Sequence, residues 1–176
     1  MDDCGRETPL SRFLRTRTIG DRWIVAHLNE LDAGDFDLLA NAPKFHIVHC
    51  PRSHSFFQHP PFALQRLRQL GFNICLGTDS LASNSDLSLF AEMRELLRNH
   101  PSVSPQETLE MVTTNGAAAL GQREYLGRLA SGNCADLIAL PVSAVGDIYE
   151  NIVTFSGNVP WIMVNGEIAE TKETAA

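Results

Sequence analysis

The sequence has no apolar run that approaches the roughly 20 residues needed to span a bilayer as a helix. It also has no block of basic residues, and its 14 Lys and Arg are outnumbered by 21 Asp and Glu, which gives a net charge of -7. These absences argue against a membrane partner and against nucleic acid as a ligand. The first ten residues are acidic and polar, unlike a secretory signal, and we expect a cytoplasmic protein.

Cysteine is scarce as well. Cys4, Cys50, Cys75 and Cys134 lie far apart and form no CxxC pair. This spacing fits neither a disulfide framework nor a cysteine metal site, so we predict reduced cysteines. What the sequence does contain is a hydrophobic fraction of 44% in 176 residues without low-complexity segments, which predicts one domain with room for a small appendage.

Three short apolar segments, at residues 22–28, 44–50 and 72–77, are predicted strands. Helices are predicted after them, from Asp32 to about residue 42, at residues 60–71 and at residues 87–99, whereas "PRSHSFFQHPP" is predicted to be a loop. Nearly continuous apolar strands that alternate with helices indicate an α/β fold, built either on a parallel sheet covered on both faces or on a parallel barrel.

The pattern changes in the second part of the chain. Ser104 and Glu107 have the spacing of a capping box, which predicts a helix to about residue 114, and a short Ala-rich helix follows at residues 116–120. A turn and a strand are predicted within residues 127–142, and Asn165-Gly166 predicts a hairpin within residues 159–170. We therefore predict that residues 1–121 form the parallel βα part and that residues 122–176 form a small β appendage.

Polar side chains follow each predicted strand at its carboxyl end. They are His27 after the first strand, His49, Arg52 and His54 after the second, and Asp79, Ser83 and Asn84 after the third. Because parallel strands place their carboxyl ends on one face, we expect these groups to converge there. This convergence predicts a ligand or metal site.

Several of these residues also have a plainer interpretation. Asp79 follows Gly-Thr and can be a turn former or a helix cap. His27 alone is typical of a hydrogen-bonded core histidine, and His49 can bond a neighbouring loop. Ser83 and Asn84 are also common capping residues. The arrangement at three successive strand ends, rather than any single residue, favours a functional site.

The other histidines and Arg52 leave similar alternatives open. Arg52 can bind a substrate anion or a carbonyl of its own loop. His54 and His59 lie in the predicted loop, where solvated side chains are the plain expectation. His46 lies inside the second strand, and no function is predicted for it. His100 closes a predicted helix, where a cation would suit the helix dipole.

Seven segments together resemble the amidohydrolase superfamily, in particular its chlorohydrolase and aminohydrolase branch, which includes triazine hydrolases, guanine deaminase and adenosylhomocysteine deaminases. They are "VAHLNEL", "VHCPRSH", "LGTDSLASN", "LFAEMRELL", "VTTNGAAALG", "GRLASGNCADLIAL" and "WIMVNGEI", and they occur in the family's order over nearly the whole chain.

The resemblance implies a (β/α)8 barrel with one divalent metal, usually zinc or iron, at its carboxyl mouth. Asp79 would then bind the metal and accept a proton from its water, and His27 would lie beside that water as a second candidate metal ligand. His49 would help to shape the substrate site, together with Arg52 and the other candidate binding residues, namely His54, Ser83 and Asn84. A metal that lowers the pKa of water to about 7, next to a carboxylate base, is a coherent hydrolytic pair.

The sequence also departs from the family pattern. It has no His-x-His, and its only His-x-x-Glu is His27 to Glu30. The resemblance is therefore to the C-terminal part of the fold, namely strands six to eight and the end of the small β domain, whereas a complete barrel needs about 250 residues.

We expect a hydrolase that acts on a C–N or C–Cl bond of a small heterocyclic substrate, with this chain inactive and homodimeric when alone. The alternatives are a self-associating protein without metal chemistry and an independent doubly wound binding protein. Measuring bound metal separates the first expectation from the second.

Overall fold

A computed structural model describes residues 7–17, 19–141, 143 and 145–169, and a parallel sheet of three strands lies at its centre. The strands β1 (Ile24–Ala26), β2 (His46–His49) and β3 (Asn73–Leu76) lie in the order β1-β2-β3. Their register places Ile47 between Val25 and Ile74. The predicted parallel strands are confirmed, although each is shorter than predicted. β1 ends at Ala26 because His27 and Leu28 have positive φ angles, which an extended strand does not contain.

Helices surround this sheet. Those within the described residues are α1 (Pro9–Thr16), α2 (Ala33–Asn41), α3 (Pro51–Phe56), α4 (Leu64–Gln69), α5 (Leu89–Asn99), α6 (Pro105–Val112), α7 (Thr114–Ala119) and α8 (Ile148–Val153). None of these helices is both long and apolar enough to cross a membrane. The predicted caps are confirmed, since Asp32 with Asp35 and Ser104 with Glu107 both close capping boxes.

Two helices occupy segments for which the sequence predicted other structure. The predicted loop at "PRSHSFFQHPP" is wrong, because α3 fills its first half, with Pro51 in the first turn where a missing N–H does no harm. α8 lies within the predicted β appendage, and the Asp147 carboxylate caps two backbone N–H groups of its first turn. α4 begins at Leu64 rather than residue 60, because Pro61 disfavours helical backbone at residue 60 and Ala63 has a non-helical ψ angle of 43°.

One face of the parallel sheet packs against helices, and the other face is only partly covered in the described structure. Ile47 and Ile74 are buried together with Leu39 of α2 and Leu67 of α4. Residues on the opposite face of β2 are only half-buried, and Ile24 of β1 is 43% exposed. The core therefore lies between the sheet and the helices.

A second, antiparallel sheet contains β4 (Leu137–Ala139), β5 (Trp161–Val164) and β6 (Glu167–Ala169), in that order. Asn165 and Gly166 turn the β5–β6 hairpin with φ angles of 50° and 82°, as their sequence predicts. No described residue of these three strands is buried. The predicted boundary at residue 121 stays a prediction.

The cysteines of the described part, Cys50, Cys75 and Cys134, are unpaired, and Cys4 lies outside the described residues. Burial raises the pKa of both the Cys50 and the Cys75 thiol to about 11. Both thiols therefore stay protonated at neutral pH and behave as small core side chains.

Candidate active site at the strand ends

Asp79 lies beyond the carboxyl end of β3 on a backbone shaped for close packing. A Cβ atom at Gly77 would lie 2.7 Å from Cγ1 of Val48, so only glycine allows β3 to approach β2 at this point. Asp79 itself has a φ angle of 58°, in the left-handed region. The turn thereby places the carboxylate at the edge of the sheet where the strands end.

Two hydroxyl groups donate hydrogen bonds to the Asp79 carboxylate. Oδ2 accepts from Oγ of Ser53 at 2.7 Å and from Oγ of Ser83 at 3.1 Å. These bonds, that of Ser53 foremost, lower the pKa of Asp79 despite some desolvation. The carboxylate is therefore ionised at neutral pH and its side chain is 29% exposed, so it is accessible as a base or as a ligand.

His27 approaches the same carboxylate from the end of β1. Its Nε2 lies 3.9 Å from Oδ2 of Asp79, across the intervening β2. The His27 N–H donates to the carbonyl of Val48 at 2.8 Å, which ties the end of β1 to β2. The predicted convergence of these two side chains is observed, whereas their catalytic roles stay predictions.

The backbone at both side chains is strained. His27, Leu28 and Asp79 have φ angles of 69°, 51° and 58°, and left-handed backbone costs on the order of 1–2 kcal/mol per residue other than glycine. Such conformations persist only where the surroundings hold them, and they concentrate at functional sites.

Glu92, for which the sequence predicted no role, stabilises two of the candidate site residues through hydrogen bonds. It is fully buried, and its carboxylate accepts from the Arg52 N–H at 2.9 Å and from Nδ2 of Asn84 at 2.8 Å. Burial raises the pKa of Glu92. A sequence signal existed, because Glu92 lies on the apolar face of α5 at helical spacing from Leu89 and Leu96.

Arg52 and Asn84 are engaged with protein groups. Nη1 of Arg52 lies 2.5 Å from Oδ1 of Asp86, and Nη2 donates to Oγ of Ser85. Nδ2 of Asn84 donates to the Thr78 carbonyl as well as to Glu92, while its Oδ1 is buried with no partner in the described structure. Both side chains therefore brace the loop after β3, and their predicted substrate contacts are untested.

His49 lies in the helical layer rather than beside Asp79. It is 2% exposed and stacks flat on Phe62, with ring centroids 3.9 Å apart and planes 3° apart. Burial, reinforced by the neighbouring histidines, lowers the pKa of His49 to about 3. Within the described residues no hydrogen bond, ion pair or ring contact joins His49 or His54 to Asp79.

The expectation of a solvated side chain is wrong for His54, because α3 carries this residue into the interior. His54 is 8% exposed, and its Nδ1 lies 3.0 Å from Oδ1 of Asn29. Nδ1 of His59 lies 3.3 Å from Oε1 of Glu30, and its side chain is 28% exposed. His100 caps the end of α5, as its position in the sequence predicts, and burial lowers its pKa.

The described residues do not suffice for a metal site by themselves. No group of three or more His, Cys, Asp or Glu side chains in the described part is arranged to hold a metal ion. Asp79 and His27 supply two candidate donors, whereas a catalytic zinc takes three protein ligands and one open position. Any metal bound here needs further ligands from elsewhere.

Comparison with known proteins identifies the class. The chain matches the amidohydrolase family over residues 3–169, and it belongs to that family. It is 35% identical over 142 residues to a 5-methylthioadenosine/S-adenosylhomocysteine deaminase of Teredinibacter turnerae, covering 77% of this chain and 32% of the relative. The deaminase of the same name from Pyrococcus furiosus is 31% identical over 177 residues, covering 92% of this chain and 41% of the relative.

Solved structures support the same fold. A zinc-bound adenosine deaminase from Xanthomonas campestris superimposes with a TM-score of 0.81 and 28% identity, over 91% of this chain and 39% of that one. Guanine deaminase from E. coli reaches the same TM-score at 18% identity, over 93% of this chain and 42% of that one, which shows the fold alone. The chain thus contains part of a TIM-like barrel with a small antiparallel sheet, and it spans about a third of the length of the first curated relatives.

Proposed function

We propose that this chain forms part of a metal-dependent hydrolase that deaminates a small heterocyclic substrate. The observation that carries the proposal is the approach of His27 Nε2 to within 3.9 Å of Asp79 Oδ2 at the ends of two strands that are not neighbours. Relatives named as deaminases of 5-methylthioadenosine and S-adenosylhomocysteine favour an adenosine-like substrate. Hydrolysis of a C–Cl bond is the variant suggested by the similarity to an atrazine chlorohydrolase, which at 21% identity supports only the fold.

Asp79 is suited to act as the base. In the proposed reaction a water oxygen forms a bond to the ring carbon while one water proton passes to the Asp79 carboxylate. Asp79 then returns that proton to the amino nitrogen, and the C–N bond breaks with release of ammonia and leaves a hydroxyl group on the ring. His27 can hydrogen-bond the oxygen that becomes attached to that carbon. Asp79 and His27 would also supply two ligands of a zinc or iron ion, which lowers the pKa of bound water when present.

The predicted substrate-binding residues divide into two groups in this proposal. Ser83 touches Asp79 directly, so we assign it to the rim of the substrate site. Arg52 and Asn84 shape the loop around it through Asp86 and Glu92. His49 and His54 act from the helical layer, since neither touches the carboxylate in the described structure.

The count of two metal donors favours a second candidate, a self-associating family member without metal chemistry. The two candidates differ in what happens when the missing part of the barrel is supplied. A hydrolase half gains metal and turnover, whereas a protein that has lost the chemistry gains neither.

The test combines this chain with the part of the Teredinibacter turnerae deaminase that it does not match, and measures bound zinc and ammonia release from 5-methylthioadenosine. We expect neither half alone to hold stoichiometric zinc or to turn over, and the combination to do both. Asp79→Asn should then lower turnover on the order of 10²- to 10⁴-fold, because an amide accepts no proton from water. Asp37→Asn, on the exposed face of α2, is the matched control.

Near-normal turnover of Asp79→Asn would remove Asp79 from the mechanism. A folded combination of the two halves that binds no zinc and releases no ammonia would favour the second candidate.

We also propose that the chain alone forms a homodimer. β1 is an edge strand, and its first residue, Ile24, and the preceding Trp23 are 43% and 41% exposed. Unpaired apolar edges are usually covered, and a second copy related by two-fold symmetry is the simplest cover. Sedimentation equilibrium at micromolar concentration should give about twice 19.4 kDa, and a monodisperse 19.4 kDa species would disprove the dimer.

A further inference from the structure

The loop that carries His27 is held from one side by two histidines of the segment around α3. Nδ1 of His54 lies 3.0 Å from Oδ1 of Asn29, and Nδ1 of His59 lies 3.3 Å from Oε1 of Glu30. We propose that His54 and His59 are positioning residues that keep the loop 27–30, and with it the His27 imidazole, in place beside Asp79. The importance of that placement for catalysis rests on the proposed function, whereas the mechanical role does not.

The loop needs such support because its own backbone makes few hydrogen bonds. His27 and Leu28 are two consecutive residues with positive φ angles. The His27 N–H bonds Val48 and the Leu28 N–H bonds Ala26, but the N–H and carbonyl groups of residues 29–31 make no backbone–backbone bond within the described structure. A strained segment with few bonds persists only when side chains around it restrict its alternatives.

His54 is a rigid support. Its ring packs edge-on against His49, with centroids 5.2 Å apart and planes 73° apart, and His49 in turn stacks on the buried Phe62. Because an amide oxygen only accepts, His54 Nδ1 carries the hydrogen in its bond to Asn29. The stack Phe62–His49–His54 therefore transmits the rigidity of the core to Asn29, two residues from His27.

The two contacts differ in weight. His54 is buried. In the His59–Glu30 contact, by contrast, the Glu30 side chain is 73% exposed. A contact to so exposed a carboxylate contributes little, because water competes with it and screens it. We therefore expect His54 to dominate and His59 to add a smaller effect.

The plain alternative is that His54 only fills space in the core. His54→Phe separates the two roles, since it keeps a ring of similar size and removes the donor. Asn29→Leu removes the same hydrogen bond from the loop side without changing the core, and Asn29→Asp keeps an oxygen acceptor. His46→Phe, at a histidine that bonds Asn73 instead, is the matched control.

The measurement is amide hydrogen exchange of the whole chain by NMR. We expect His54→Phe and Asn29→Leu each to speed exchange at His27 and Leu28 about tenfold, as for one lost hydrogen bond, while the amides of Ile47 and Ile74 stay unchanged. Asn29→Asp should retain wild-type protection and His59→Gln should give a smaller loss. Unchanged exchange at His27 and Leu28 in both His54→Phe and Asn29→Leu would overturn the positioning role, as would an equal acceleration in His46→Phe.

Turnover in the combined protein described above separates this proposal from the proposed function. Lost protection together with a lower kcat at nearly constant KM in His54→Phe supports both. Lost protection in a combination that never turns over removes the proposed function and keeps the mechanical role. Unchanged protection in an active combination removes the positioning role alone.

Discussion

The two edge strands of the parallel sheet, β3 and β1, differ in how well other elements cover them. At the β3 edge, helices α5, α6 and α7 pack against the strand, and Nδ2 of Asn115 donates to the carbonyl of Ile74 at 2.9 Å. At the β1 edge, Ile24 is 43% exposed. Helix α1 packs against α2, and no strand pairs with the free edge of β1 in the described structure.

This difference shows which half of the site is stabilised by contacts within the chain. The β3 side, which carries Asp79, contains a closed core and satisfies its exposed backbone with an amide side chain. The β1 side, which carries His27, has strained backbone and depends on His54 and His59 across from it. The half of the site at β3 is therefore built into the fold, while the half at β1 is the part that a partner would complete.

The largest test of this comparison replaces the same residue type at the two edges. Ile74→Ala should lower the free energy of unfolding by about 2–5 kcal/mol, because Ile74 is 2% exposed and leaves a cavity. Ile24→Ala, at 43% exposure, should lower it by at most about 0.5 kcal/mol. Urea unfolding measures both at a protein concentration where sedimentation shows a monomer, and equal losses there would mean that the β1 edge is covered within one chain.

An intermediate effect is expected from the amide that caps the β3 edge. Asn115→Ala should cost about 1–2 kcal/mol, since it leaves the carbonyl of buried Ile74 without that donor. Asn41→Ala removes a similar bond, to the Asp37 carbonyl at 2.9 Å, from the exposed end of α2 and should cost about 0.5 kcal/mol or less. A loss at residue 115 no larger than that at residue 41 would show that water replaces the cap.

Local sequence signals were sufficient for much of this architecture. Apolar runs that end in a polar group predicted three parallel strands, and the strand ends bring His27 and Asp79 together as expected. Capping boxes at Asp32 and Ser104 and the Asn165-Gly166 turn were also predictable, because each depends on residues within a few positions of one another.

The features that sequence reasoning missed depend on distant partners. α3 is six residues long, and its Ser- and His-rich sequence is typical of a loop. The helix is stabilised by Glu92, 40 residues away, whose carboxylate accepts a hydrogen bond from the Arg52 N–H. His54 was expected in solvent because nothing local shows that Phe62 and His49 form a stack behind it. Periodicity predicts which face of an element is apolar, but it does not predict which polar group on another element that face meets.

The smallest expected effect concerns acid stability on the closed side, at the Glu107 carboxylate of α6. Arg68 donates to it, and the Ser104 N–H and hydroxyl donate at 2.9 and 2.8 Å. These bonds, that of Arg68 foremost, lower the pKa of Glu107 from its usual 4.5 to about 2. Because the folded-state pKa is the lower one, the stabilisation is fully present above about pH 4.5 and is lost as the pH falls towards 2.

Glu107→Gln should therefore be less stable than wild type at pH 7, and the difference should shrink between pH 4.5 and 3 in urea unfolding. The side chain is 35% exposed, so solvent screening keeps the effect small. Glu110→Gln, on the same helix, corrects for the loss of one negative charge. A Glu107→Gln difference that stays constant over this pH range, after that correction, would show that the Arg68 and Ser104 bonds do not stabilise the ionised carboxylate in solution.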